Sequence, residues 1–248
     1  MSHLLTAALL AVAYLGLFVV GANQDWREGA FALAGVPLIY WLIIAFFALL
    51  LIRPRAAVAA HATLNENLHK VCQAIAISAL AIMVCMILAQ VYFRYVAGGA
   101  LNWTEEAARF GMLWMTGLMA PVAYRRGGFV SIDMLERALP RALSAALSLL
   151  LLCVAFWVLV ILFDRGWNNH VDTMSGRGAS SSLRIPLDML GGERIRFRSN
   201  WQYASLLVGV ALLLIVSVEL ILRQILVLLG RADGLKPLVD DEEFIGAD

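Results

Sequence analysis

The chain is poor in charge and in the residues that usually perform chemistry. Only 15% of its 248 residues are Asp, Glu, Lys or Arg, against roughly 25% in soluble proteins. Basic and acidic residues nearly balance, 19 against 18. There is therefore no basic excess of the kind a nucleic-acid binder needs. The three cysteines, Cys72, Cys85 and Cys153, all fall inside apolar runs. They form neither a disulfide framework nor a Cys-x-x-Cys metal motif, and read as small packing residues. The four histidines, His3, His61, His69 and His170, lie outside the long apolar runs, which excludes haem held between spans. No metal-ligand cluster, nucleophile–base pair or phosphate-binding glycine loop is present, since Gly127-Gly128 alone is too little. No cofactor, metal or catalytic residue is assigned, and the chain is read as a non-enzyme.

What is abundant is apolar surface. Hydrophobic residues make up 62% of the chain and mean hydropathy is +0.81, more than the core of a water-soluble globule of this size can hide. A bilayer core about 30 Å thick requires about 20 apolar residues of helix. Five runs without charge approach that length: Leu4–Ala22, Leu33–Ile52, Val71–Phe93, Ala142–Phe163 and Trp201–Val218. A sixth, Phe110–Tyr124, is long enough only if its helix begins near Thr104 and carries Glu105, Glu106 and Arg109 in its first turns. The expected fold is an all-α integral membrane protein of about six transmembrane helices. The first run reads as a retained span, because Met1-Ser2-His3 has no Lys or Arg and the run exceeds a signal-peptide core.

Lys and Arg set the orientation. With the N-terminus in the cytoplasm, the inner side receives Arg53, Arg55, Lys70, Arg125, Arg126, Arg137, Arg141, Arg223, Arg231 and Lys236. The outer side receives Arg27 and six arginines gathered in the long loop Asp164–Asn200, where the positive-inside rule binds least. Both termini are thus expected in the cytoplasm.

Three regions follow. Residues 1–70 form a transmembrane hairpin plus a connector, Pro54–Lys70, rich enough in Ala and Leu for a helix lying along the interface. Residues 71–230 form a four-helix domain, and 231–248 an acidic cytoplasmic tail. Within the domain, Phe129, Ile132, Leu135 and Leu139 recur at helical spacing, which predicts a short interfacial helix in Gly127–Pro140. Gly176–Ser182 reads as loop. Arg194-Ile-Arg-Phe-Arg198 alternates charge with hydrophobe; a solvated loop is preferred there over a short strand or the basic rim of an exported surface.

The densest polar group is Asn102-Trp-Thr-Glu-Glu-Ala-Ala-Arg109. Asn102 and Glu105 have the spacing of a helix start, and Glu105 and Arg109 that of a favourable i,i+4 ion pair. Glu106, about 100° around the helix from Glu105, has no such local explanation and is expected to contact another helix or subunit. Arg94, between Phe93 and Tyr95, is its candidate partner, with snorkelling as the simpler alternative. Glu219 and Arg223 form a second i,i+4 pair, read as a local pair at a helix end. No span carries a charge near its middle and no internal repeat is evident, so a pump or autonomous carrier is disfavoured.

Val91-Tyr-Phe-Arg-Tyr-Val96, Leu101-Asn-Trp-Thr-Glu-Glu106 and Ala123-Tyr-Arg-Arg-Gly-Gly-Phe-Val-Ser-Ile-Asp-Met-Leu-Glu-Arg-Ala-Leu-Pro140 resemble the small membrane subunit of TRAP transporters, the DctQ-like family. Its pattern has an Arg-Tyr pair ending one helix, a Trp-x-Glu-Glu start to the next, and an Arg-x-Gly-x-His-Ile-x-Val-Asp segment before Leu-Pro. Arg94, Tyr95, Trp103, Glu105, Glu106, Arg125 or Arg126, Gly127, Asp133, Leu139 and Pro140 match it. Phe129 stands where the pattern has His, and the N-terminal hairpin and the polar stretch Gly191–Asn200 are additional. The resemblance covers about Val71–Leu229 and implies a non-catalytic permease subunit of the bacterial inner membrane. It implies two partners: a large membrane subunit of the DctM type that imports an organic acid with sodium, and a periplasmic binding protein of the DctP type. On this reading Arg94, Tyr95, Trp103, Glu105, Glu106, Arg109, Arg126 and Asp133 are candidates for the subunit interface, and Arg194, Arg196 and Arg198 for binding-protein docking. The alternative is a self-contained oligomeric channel or carrier with a polar path through Gln73, Gln90 and Thr116; a third reading is an assembly protein without a transport partner.

Overall fold

A computed structural model describes residues 2–22, 32–33, 36–99, 102–126, 140–167, 179–185, 195–198 and 200–231. Six helices carry nearly all of it: α1 (Ser2–Ala22), α2 (Leu38–Ile52), α3 (Pro54–Tyr95), α4 (Asn102–Arg125), α5 (Arg141–Arg165) and α6 (Asn200–Leu228). Two small antiparallel ribbons complete the described elements, β1 (Ala32–Leu33) with β2 (Val36–Pro37), and β3 (Ala179–Ile185) with β4 (Ile195–Arg198). The architecture is the expected helical membrane protein. By length and composition α3, α5 and α6 can each cross a bilayer, while α1 and α2 carry shorter apolar stretches, Thr6–Gly21 and Tyr40–Ile52.

Three boundaries differ from the sequence reading. The second apolar run does not begin as helix at Leu33: Ala32 and Leu33 pair with Pro37 and Val36, and the helix starts at Leu38. Proline has no N–H to give to a helical ladder and its fixed φ suits the entry to a first turn, so Pro37 marks that entry. The connector is helical, as expected, but it is not a separate interfacial element. It is continuous with the following span in one helix of 42 residues. Pro54 occupies the first position of α3, where its missing N–H costs nothing, and no Gly or Pro follows before Tyr95. The third difference lies in the long loop Asp164–Asn200. Ala179–Ile185 and Ile195–Arg198 are strand, not loop, because Arg194–Arg198 alternates with the period of two that a ribbon requires. The interfacial helix expected in Gly127–Pro140 lies outside the described residues, as do Asp133, Arg194 and the tail beyond Arg231.

The chain divides into two compact units. The first comprises Met1–Asn67, Val122–Val160 and Leu213–Asp248. Its core is built on the second half of α6, where Leu214, Ile215, Val216, Val218, Ile221, Leu222 and Leu226 are buried, together with Val58, Ala60 and Leu64 of α3. The N-terminal hairpin joins it through aromatic rings. Tyr14 meets Phe46 edge-on at 5.2 Å, Phe47 meets Phe156 edge-on at 5.4 Å, and Tyr40 stacks on Trp157 at 6.4 Å. Helix α6 closes with the hydrogen bonds of a Schellman cap, Arg231 N–H to the Leu226 carbonyl and Gly230 N–H to Val227, with Gly230 at φ +63°. The Arg231 carbonyl accepts in turn from Arg55 at 3.4 Å.

The second unit comprises Leu68–Pro121 and Ile161–Leu212. Here α4 and α6 approach so closely that only glycine fits. A Cβ on Gly117 would lie 2.5 Å from the Ser205 carbonyl oxygen, and one on Gly209 would lie 2.7 Å from the Gly117 carbonyl oxygen. Pro121 lacks the N–H that would bond that Gly117 carbonyl one turn back. The carbonyl left out of the ladder is the one that meets Gly209. Small residues at a crossing let two backbones approach, which is how helices associate where lipid removes the hydrophobic driving force.

Candidate functional site

The polar centre of the first unit is Glu219 on α6. Its side chain is completely buried, in a chain with little charge to spare. Three residues from three helices satisfy it. Arg125, at the end of α4, donates from Nε to Oε2 and from Nη2 to Oε1, both at 3.1 Å, the two-pronged geometry that guanidinium and carboxylate share. Arg223, one turn along α6, donates from Nε to Oε1 at 3.0 Å. Asn65 on α3 donates its amide N–H to Oε2. One anion thus sits among two cations and an amide, and its oxygens are occupied by donors. Two guanidinium groups repel a metal cation from this place, so the arrangement binds helices together and does not form a sodium site. Asn65 Oδ1 is buried without a hydrogen-bond partner.

A second buried polar contact lies in the same unit. His61 Nδ1 faces the Ala57 carbonyl at 2.8 Å, and Nε2 faces the Tyr14 hydroxyl at 2.7 Å. A carbonyl only accepts, so in the neutral ring Nδ1 carries the proton and Nε2 accepts from Tyr14. His61 is fully buried. Its position outside the apolar runs suggests an interfacial residue, whereas the structure makes it the post to which the N-terminal hairpin is tied.

The residues singled out from the sequence are differently placed. Glu105 and Arg109 form the expected i,i+4 ion pair, with side chains 63% and 70% exposed. Glu106, its neighbour, is half-buried and engaged in an interaction. The Arg94 guanidinium lies over the ring of Tyr95, 5.8 Å from its centre, the attraction of a cation for a π face. Tyr95 and Trp103 are exposed. Arg126 is exposed just beyond the end of α4, and it is its neighbour Arg125, the other member of the motif match, that reaches Glu219. Thr116 turns its hydroxyl back to the Met112 carbonyl at 2.9 Å. Arg196 and Arg198 lie on β4, and Arg196 is paired in register with Arg184 of β3. Among the described residues no group of three His, Cys, Asp or Glu side chains could hold a metal.

Sequence reasoning recognised Glu219–Arg223 but missed Arg125 and Asn65 as its partners. The available signal was weak: an Asn and an Arg, 154 and 94 residues away, the first in the polar first part of α3 and the second at the end of α4.

Fold and site together define a polytopic helical membrane protein whose buried charges hold its own helices together. A model of the DctQ component of tripartite ATP-independent periplasmic transporters matches residues 83–227, more than half of the chain. The chain belongs to this family, the small component of TRAP transporters. No curated protein and no solved structure matches it. The N-terminal hairpin and the first part of α3 lie outside the matched residues.

Proposed function

We propose that this chain is the small permease subunit of a TRAP importer in the bacterial inner membrane, bracing a large transport subunit of the DctM type and enlarging the surface on which a periplasmic binding protein of the DctP type docks. The observation that carries this reading is the family match over 83–227. The structure supports it in two ways. The polar centre at Glu219 is closed by internal partners and offers no ion site of its own. Helix α5 shows apolar residues along one face, with Leu143, Leu150, Val154, Trp157 and Ile161 all exposed, as a helix does when lipid or another membrane protein is its solvent. Sodium coupling and an organic-acid substrate belong to the same proposal and rest on the large subunit and binding protein. Residues 1–70 act as an added brace, 71–230 as the family-type four-helix domain and 231–248 as a cytoplasmic tail.

Co-expression with the neighbouring genes, followed by purification in mild detergent through a tag on this chain, tests the proposal. A larger multi-span protein should co-purify at constant stoichiometry, and deleting the gene should abolish uptake of the organic acid. A chain that purifies alone, and moves solute when reconstituted alone, would overturn it in favour of a self-contained carrier.

A further inference from the structure

Within the first compact unit, the place where α2 ends, α3 begins and α6 is capped gathers arginines with no carboxylate beside them. Ile52 ends α2, Arg53 follows, and Pro54 and Arg55 open α3, with the Ala57 N–H on the Arg53 carbonyl at 3.0 Å. Arg55 Nη2 reaches the Arg231 carbonyl at 3.4 Å, just past the cap of α6, so the two segments meet. Arg53, Arg55 and Arg231 are all exposed. Among the described residues none of the three is in an ion pair. The nearest carboxylate along α3, Glu66, is roughly 16 Å further down the helix axis, and the nearest along α6, Glu219, is buried among its own partners. The chain next to these arginines is apolar and uncovered: Leu51 and Ile52 are 45% and 72% exposed, Leu228 and Leu229 41% and 59%. Every residue of this patch lies outside the residues matched by the family model.

We propose that this patch binds an anionic phospholipid, its phosphate held by Arg53, Arg55 and Arg231 and its acyl chains laid along the apolar ends of α2 and α6. A guanidinium group matches phosphate oxygens two-pronged, and cations clustered at the membrane edge of a helix recognise anionic headgroups. The hydrogen bond from Arg55 to the Arg231 carbonyl holds one of the three groups in place before the lipid arrives, which lowers the ordering cost of binding. Two other anions compete for the site. A free phosphate meets only the charge and leaves the four apolar side chains uncovered, whereas a phospholipid satisfies both. The acidic run Asp240-Asp-Glu-Glu243, which follows Arg231 in the chain, likewise offers carboxylates and no acyl chain. The bound lipid fastens the N-terminal hairpin to the end of α6, which gives the added residues a task of their own. The inference needs only a chain that spans a membrane and stands apart from the TRAP reading.

The test uses the full chain, with any membrane protein that co-purifies left in place, in nanodiscs of phosphatidylcholine alone or of phosphatidylcholine and phosphatidylglycerol in equal parts. Native mass spectrometry reads which lipid stays bound, and thermal melting reads the stabilisation. Wild type should retain phosphatidylglycerol in preference to phosphatidylcholine and melt higher in the mixture. Arg53→Gln, Arg55→Gln and Arg231→Gln should each lower that preference by about fivefold, and the three together should abolish it. Arg55→Lys should keep most of it, and Arg165→Gln, which removes an exposed arginine at the end of α5, should leave it unchanged. A triple variant that elutes as a single peak and still prefers phosphatidylglycerol would overturn the inference. Should the triple variant fail to fold, the single variants decide, and a wild-type preference in all three would overturn it. A preference that emerges only after deletion of residues 232–248 would assign the patch to the acidic tail. Inorganic phosphate that stabilises the chain in phosphatidylcholine as much as phosphatidylglycerol does would assign it to a free anion. Either result would overturn the lipid assignment.

Discussion

Glu105–Arg109 and Glu219–Arg223 are the same pattern written twice: a glutamate, three residues, an arginine, on a helix of a membrane protein. In the first the side chains are 63% and 70% exposed; in the second the carboxylate is 0% and the guanidinium 11% exposed. Sequence spacing supplies each pair with one ionic contact. The three-dimensional structure supplies the second pair with two further partners, Arg125 and Asn65. An exposed i,i+4 pair is worth about 0.3–0.5 kcal/mol. Removing one member of a buried ionic group costs about 3–5 kcal/mol, because the charges left behind are uncompensated. Identical local grammar therefore yields contributions that differ by about an order of magnitude, and burial decides which.

The widest gap comes from Glu219 itself. Glu219→Gln should deprive Arg125 and Arg223, both largely buried, of the carboxylate they share, and destabilise the chain by about 3–5 kcal/mol. The expected readout is loss of the monodisperse peak in detergent chromatography and a large fall in melting temperature. Replacing the ionic group together, as Glu219→Leu with Arg125→Met and Arg223→Leu, should recover much of that loss, since apolar substitution of a whole buried ionic group is often neutral. If Glu219→Gln melts like wild type, the distinction between the two pairs collapses.

The same contrast extends to glycines on α4. Gly117 and Gly111 are six residues apart, yet a Cβ at Gly117 would lie 2.5 Å from a backbone oxygen whereas one at Gly111 has nothing within 4 Å. Gly117→Ala should cost about 1–3 kcal/mol through forced backbone separation, and Gly111→Ala should be neutral or stabilising by about 0.5–1 kcal/mol through helix propensity. Thermal melting of the two variants side by side separates them, and equal shifts would mean that the α4–α6 crossing is not tight.

Tyr14→Phe is a smaller step. It keeps the ring that meets Phe46 and removes only the hydroxyl that donates to His61. A loss of about 1 kcal/mol is expected, visible as a modest drop in melting temperature and as easier proteolytic release of the N-terminal hairpin. A variant as resistant as wild type would show that the aromatic contacts alone hold the hairpin.

Much of the architecture is legible from apolar run length. Helices α1, α3, α5 and α6 follow from uncharged stretches near 20 residues, α4 from a shorter run with its charges in the first turns, and the family follows from motifs between Val91 and Pro140. Where the sequence misleads, a local signal has two meanings. Pro54 separates the connector from the span when taken as a helix breaker, whereas in the first helical position it starts one helix that runs from the connector on through Val71 to Tyr95. Ser-rich 180–182 suggests loop, but lies within β3, where the register with β4 shifts between Ala179 and Arg184. His61 and Asn65 look like residues of a polar connector because nothing in 54–70 states that α1 and α6 will cover them. Long-range partners of a buried charge leave no periodic trace, so Glu219 reads as an ordinary helix-end pair until the other helices are in place.

The finest test returns to the exposed pair and its neighbour. Glu105 already has its partner in Arg109, and solvent screens both, so Glu105→Gln should change stability by less than about 0.5 kcal/mol. Glu106 differs: it is half-buried, a turn of about 100° away on the same helix, and the i,i+4 pair does not account for it. As a group at the edge of a membrane helix it is the one expected to meet another chain. Glu106→Gln should therefore reduce co-purification with the large membrane subunit by more than Glu105→Gln does, and by more than any fall in the melting temperature of the isolated chain accounts for. The combination of readouts matters, because a purely structural carboxylate lowers the melting temperature and co-purification together, whereas an interface carboxylate lowers the second alone. Equal and negligible effects of both substitutions would show that the two adjacent carboxylates serve only to start α4, and that the seam with the partner lies on another helix.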